Sequence, residues 1–182
     1  HSAGMAFDSN SNRVVLFGGE DVGDNIVGET WTFDGSNWTR ENTTNTPVDR
    51  SRPAMASALG TGVVMFGGRT TSFDQVGDTW LWNGTDWTEV LPPSGTSTPP
   101  ARSGAGLAFD AFLNRGILAA GVVNSTVTLP GFPMGVQVQG LRDSWSFDIA
   151  TSTWTEIATQ STLSPSIDRS VAFDPVGGEV LL

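Results

Sequence analysis

The stretch "VVLFGGEDVGDNIVGETWTFDGSNWTRE" (Val14–Glu41) returns as "VVMFGGRTTSFDQVGDTWLWNGTDWTEV" (Val63–Val90). Phe17-Gly18-Gly19 maps onto Phe66-Gly67-Gly68, Trp31 onto Trp80 and Trp38 onto Trp87, each by the same offset of 49 residues. A fixed period of that length marks a repeat architecture, in which each unit buries its apolar surface against the next.

Four segments recur within each unit. A small-residue apolar segment comes first: "HSAGMAFD" (His1–Asp8), "RPAMASALG" (Arg52–Gly60), "RSGAGLAFD" (Arg102–Asp110) and "DRSVAFD" (Asp168–Asp174). A second apolar run follows, "RVVLFGG", "GVVMFGG", "RGILAAG" (Arg115–Gly121) and finally "EVLL" (Glu179–Leu182). Then come "ETWTFD", "DTWLWN" and "DSWSFD" (Asp143–Asp148), and last "NWTRE", "DWTEV" and "TWTEI" (Thr153–Ile157). The second segment is apolar at successive positions, as in a strand covered on both faces. The third alternates, with Trp31 and Phe33 on one side and Thr30 and Thr32 on the other. Asp34-Gly35 and Asn83-Gly84 are hairpin signals, since such turns need residues that tolerate positive φ. Asp8, Asp110 and Asp174 open the first hairpin, where an Asp side chain can accept from its own downstream backbone.

A four-stranded sheet that is apolar on both faces needs cover on both sides, and stacking such sheets around an axis provides it. The units resemble kelch repeats, on the strength of Phe17-Gly18-Gly19 with Trp31 and Trp38, and Phe66-Gly67-Gly68 with Trp80 and Trp87. The third unit departs: Ala119-Ala120-Gly121 replaces Phe-Gly-Gly, and Trp145 to Trp154 spans nine residues against seven elsewhere. The resemblance implies an all-β fold, a kelch-type β-propeller segment of three four-stranded blades plus two strands of a fourth. One partial domain over 1–182 is expected, with blades near 1–41, 50–91 and 102–158 and a half blade near 167–182. Because the pattern is already under way at His1 and stops before its next aromatic-Gly-Gly, the chain is expected to be a piece of something longer. Its open blade faces are then association-prone. Kelch propellers include both binding modules and enzymes.

Composition narrows the function. The 182 residues hold 22 Gly, 15% charged residues and no Cys. All nine positive charges are Arg. A net charge of −10 and a pI near 4.2 argue against nucleic acid, which needs a basic footprint. No apolar run approaches membrane-spanning length. Without Cys there is no thiolate chemistry, and the copper-radical chemistry of some kelch-like oxidases has neither its Tyr nor its Cys here. The lone His1 offers no metal site or Ser-His pair. Asp21 and Asp24 lack the spacing of a dedicated calcium loop. Neither a cofactor nor a catalytic residue is expected. The Ser/Thr-rich composition without Cys or Lys points to an extracellular or cell-surface location, while the four Asn-x-Thr/Ser triplets are of the kind a Thr-rich chain yields by chance.

In an antiparallel blade the second-to-third and inter-blade connections share one side. That side carries the long segments Glu20–Gly28, Arg69–Gly77 and Val122–Leu141, with Arg40–Asp49 and Val90–Ala101 between blades. Binding residues tend to sit on such loops. The gap from Trp80 to Trp145 is 65 residues, about sixteen more than the repeat, and the extra chain is apolar (Leu129, Phe132, Met134, Val136, Val138). It reads either as a lid or contact loop or as an insertion packed on its own blade. Arg50, Arg52, Arg102 and Arg169 stand near first strands. As a ring they suit a carboxylate or anionic sugar; alternatively they pair with Asp78, Asp143 or Glu29 as scaffold. Arg52, Arg102, Leu129, Phe132, Met134 and Arg142 form the candidate ligand-binding set. The leading expectation is a non-catalytic module that recognises a protein or glycan on the long-loop face. The alternative is part of a carbohydrate-active propeller enzyme. Seven Trp residues invite carbohydrate stacking, but six fall at repeated positions, which favours packing between blades.

Overall fold

The computed structural model describes residues 1–127, 135–157, 171–174, 176 and 179–181, all of them strand, turn or loop. Blade 1 is β1 (Gly4–Asp8), β2 (Arg13–Phe17), β3 (Thr30–Phe33) and β4 (Trp38–Arg40), hydrogen-bonded in that order. Blade 2 contains β5 (Arg50–Ser51), β6 (Ala54–Ala58), β7 (Gly62–Thr70), β8 (Gln75–Trp82) and β9 (Trp87–Val90), with β5 and β6 both pairing along one edge of β7. In blade 3, β10 (Gly106–Asp110) and β11 (Arg115–Ala119) lead into a projecting hairpin, β12 (Val122–Val127) and β13 (Gly135–Gly140). The blade then resumes with β14 (Ser144–Asp148) and β15 (Thr153–Ile157), and β16 (Ala172–Asp174) pairs with β17 (Glu179–Leu181) beyond it. Every pairing between these strands is antiparallel. The chain is an all-β propeller segment built of stacked antiparallel blades.

The consecutive apolar residues of β7 have a direct explanation. Val63 and Met65 join one core cluster with Val15, Phe17, Trp82 and Trp87, while Val64 and Phe66 join another with Leu118, Phe147 and Trp154. The pleat sends alternate side chains to opposite faces, and a blade lies on each side. The fourth-strand Trp binds the preceding blade. Phe17 meets Trp87 edge-on at 5.3 Å and Phe66 meets Trp154 at 5.1 Å, the geometry aromatic quadrupoles favour. On β3 it is Thr30 and Thr32 that are buried, with Trp31 and Phe33 half-buried. Trp38, the equivalent Trp of blade 1, has no blade against it among the described residues and is 46% exposed.

In blade 1 the Gly-Gly pair follows the end of the second strand at Phe17, whereas in blade 2 it makes a register shift after Phe66 and β7 runs on to Thr70. Gly18 and Gly67 have φ of 70° and 67°, and a Cβ at Gly67 would stand 2.5 Å from the Arg102 carbonyl oxygen. Gly19 and Gly68 donate their N–H groups to the carbonyls of Arg50 and Arg102, both at 2.9 Å. The departure in blade 3 keeps the conformation, since Ala120 and Gly121 also have positive φ, 58° and 93°. Asp8, Asp110 and Asp174 accept backbone N–H bonds from two residues downstream, as their hairpin position predicts.

Candidate functional site

The first strands line the propeller axis, and their N-terminal ends open on the long-loop side. There Ser2, Ala3, Arg52, Pro53, Gly104, Ala105 and their neighbours enclose a cavity of about 560 Å³. Three residues in equivalent positions ring its mouth. Ser2, Arg52 and Gly104 each stand two residues before the first-strand partner of the second-strand end, Gly4↔Phe17, Ala54↔Phe66 and Gly106↔Ala119. All three have positive φ: 61°, 53° and 62°. They are stitched together by main-chain bonds, Arg52 N–H to the Ser2 carbonyl at 2.7 Å and Gly104 N–H to the Arg52 carbonyl at 3.0 Å.

That register corrects the sequence alignment of Arg52 with Arg102. The counterpart of Arg102 is Arg50. Both are fully enclosed and hold a carboxylate bidentately: Arg50 to Asp78 at 2.6 and 2.7 Å, Arg102 to Asp143 at 2.7 and 2.6 Å. Their remaining donors go to carbonyls, Val48 and Gly67 for Arg50, and Pro100 and Ala120 for Arg102. The indoles of Trp80 and Trp145 complete each acid's shell at 2.7 Å. Burial pushes both carboxyls up, but the arginine and indole hydrogen bonds with the arginine charge outweigh it and hold both below the usual carboxylate range. Arg102 is 1% exposed, so its place is in the scaffold rather than among groups facing a ligand. Arg52 is the odd one out: a cation at a position held elsewhere by Ser2 and Gly104, half-buried on the cavity wall. Register decided this, and it is invisible to a search for shared Arg residues.

The other candidates divide. Arg142 is exposed in the connection from β13 to β14, beside Asp143. Leu129, Phe132, Met134 and Arg169 lie outside the described residues. The insert carrying the first three extends blade 3 as the hairpin β12–β13, and blade 2 braces it. Asn124 donates its N–H to Gln75 Oε1 at 3.1 Å and its amide to the Phe73 carbonyl at 3.1 Å. A similar tie joins blades 1 and 2, where Arg69 meets Glu20 at 2.9 Å. Glu20 also lies 3.0 Å from His1 Nδ1, and Asp24 lies 3.1 Å from His1 Nε2. No spacing along the chain points to this His-acid cluster, whose ligand atoms fall within 4.8 Å of one another, the reach a metal ion needs. Glu20, however, is already neutralised by Arg69. Asp21 points elsewhere: its carboxylate accepts from Gly23 and Asn25 of its own loop, and the Asn25 and Gly23 hydrogen bonds lower its pKa.

Comparison with known proteins agrees with this architecture. A family model described as the KLHDC2/KLHL20/DRC7 Kelch-repeats domain matches residues 1–181. No curated protein matches the chain.

Proposed function

The chain belongs to the kelch-repeat family, whose domains are commonly protein-binding modules, and from that premise we propose that it binds a protein segment on its long-loop face at the mouth of the axial cavity. The observation that carries this reading is Arg52. It is a cation where the equivalent positions of the other blades carry Ser2 and Gly104, it lines a cavity of about 560 Å³, and its backbone sits in a left-handed conformation that L side chains rarely adopt. A guanidinium held at a concave site suits a carboxylate or main-chain carbonyl acceptor.

Carbohydrate stacking on Trp finds little platform beyond Trp38, which is 46% exposed. Trp82, Trp87, Trp145 and Trp154 are enclosed between blades, and Trp31 and Trp80 have their indole N–H groups tied to Glu29 and Asp78. No observation favours the carbohydrate-active alternative. A displayed library of random linear peptides, selected on the intact chain and counter-screened on Arg52→Ala, tests the proposal. Peptides that seat at the mouth are expected to lose binding to R52A. A selection that returns no peptide sensitive to that substitution overturns it.

A further inference from the structure

The hairpin in blade 3 has one capped edge and one edge that is open among the described residues. The Leu141 N–H bonds to the Gly121 carbonyl at 2.8 Å, which makes 121 and 141 a hydrogen-bonded pair of the antiparallel ladder. Bonded and non-bonded pairs alternate along such a ladder. Val122↔Gly140 and Asn124↔Val138 are therefore non-bonded pairs, and their N–H and C=O groups point outward from the hairpin. On β12 these outward groups are used: Val122 exchanges two main-chain bonds with Ser103 at 2.9 and 3.0 Å, and the Asn124 N–H is capped by Gln75. On β13 the outward groups of Val138 and Gly140 have no partner among the described residues.

Nothing in β13 blunts that edge. Gly135–Gly140 reads GVQVQG, with no charge, no Pro and no register shift against β12, the features by which natural sheets guard their edges. Val138 is 57% exposed, and Gln137 and Gln139 are exposed beside it. Bracing by Gln75 and Asn124 holds the hairpin in place, so that its free edge is pre-ordered and ordering costs little on binding.

We propose that the outer edge of β13, from Val138 to Gly140, is a strand-addition site that takes an extended segment of a partner protein. Main-chain bonds to Val138 and Gly140 supply the affinity, and a β-branched or aromatic residue placed opposite Val138 supplies selectivity. A partner segment is favoured over a second copy of the chain because each copy carries a net charge of −10, and like-charged copies repel. The site deepens the protein-binding reading of the long-loop face and adds to the cavity mouth a second place of contact.

The peptide library above separates the two. Val138→Pro removes only an outward N–H and leaves the β12 ladder intact, a placement edge strands tolerate. Val138→Lys blunts the same edge without touching the backbone. Strand-adding peptides are expected to bind V138P and V138K about tenfold or more weakly, to bind R52A as well as the native chain, and to slow amide exchange at Val138 and Gly140. Peptides that lose binding only to R52A leave the cavity reading standing and overturn this one. Selection of no V138P-sensitive peptide overturns it as well. So does a dimer by light scattering that V138P dissociates, which would assign the edge to a second copy.

Discussion

Trp154 donates its indole N–H to Thr79 Oγ1 at 3.0 Å, from the fourth strand of blade 3 to the third strand of blade 2. Trp87 repeats the bond to Thr30 at 3.0 Å one blade earlier. Each bond is buried, and each is the polar centre of an otherwise apolar seam. Thr79→Val removes the acceptor while keeping the shape, stranding a buried donor. It is expected to cost about 1–3 kcal/mol, read as a lower urea midpoint at unchanged slope. Trp154→Ala empties the seam and is expected to cost about 3–5 kcal/mol.

The buried ion pairs make stability depend on acid. Asp78 and Asp143 have folded pKa values held below the unfolded value of about 3.9. Such groups add stability that is complete above the unfolded pKa and lost as pH falls through the folded one. The melting temperature of the native chain is expected to be level near neutrality and to fall below about pH 4. In Asp78→Asn with Asp143→Asn that acid slope should flatten, on a lower plateau. A native slope unaltered by the double substitution would mean the pairs are not its source.

Truncating one partner of such a pair is costlier than replacing both. Arg50→Met leaves Asp78 without its counter-charge and is expected to cost about 3–5 kcal/mol. Joining it to Asp78→Leu should recover much of that loss, measured by denaturant melts of the single and double variants.

Gly67→Ala should destabilise far more than its size suggests. The left-handed backbone alone costs a residue with a Cβ about 1–2 kcal/mol, and the new Cβ would meet the Arg102 carbonyl at 2.5 Å. Ala120 already carries a Cβ at the same position of blade 3 with φ of 58°, so Ala120→Gly is expected to change stability little. Thermal melts of the two variants check the contrast.

Arg52→Gly separates binding from folding. Gly104 shows that glycine fits the equivalent position, and relief of backbone strain of about 1–3 kcal/mol offsets the roughly 0.5–1 kcal/mol entropic cost of glycine. The variant is expected to melt at or slightly above the native temperature while losing the peptides that R52A loses. A marked loss of stability would instead make the Arg52 side chain part of the scaffold.

The four-segment repeat and the role of the repeated Trp residues were legible because they depend on local patterns written three times over, whereas the run of β7 past Gly67-Gly68 to Thr70, the start of β8 at Gln75 and the hairpin β12–β13 appear only in the structure. Alternation on β3, consecutive apolar residues on β7 and the paired glycines each state a burial requirement that one chain segment carries by itself. The reading of the arginines was less secure. Arg50 and Arg102 look like Arg52 in a one-dimensional alignment, and two residues of register separate an enclosed strut from a group on a cavity wall.

What the sequence determined alone was therefore the repeating unit: a sheet apolar on both faces needs cover on both sides, and the 49-residue period marks the length of each unit that supplies it. Tertiary structure alone decided which polar groups are left for a partner. Whether a guanidinium, an indole or a strand edge is already satisfied depends on atoms brought close from other blades, such as Asp78 for Arg50, Thr79 for Trp154 and Gln75 for the edge of β12. Hydrogen bonding is short-ranged and directional, so a repeat can offer partners, as it offers Asp78 and Asp143 to the arginines, but only the fold selects among them.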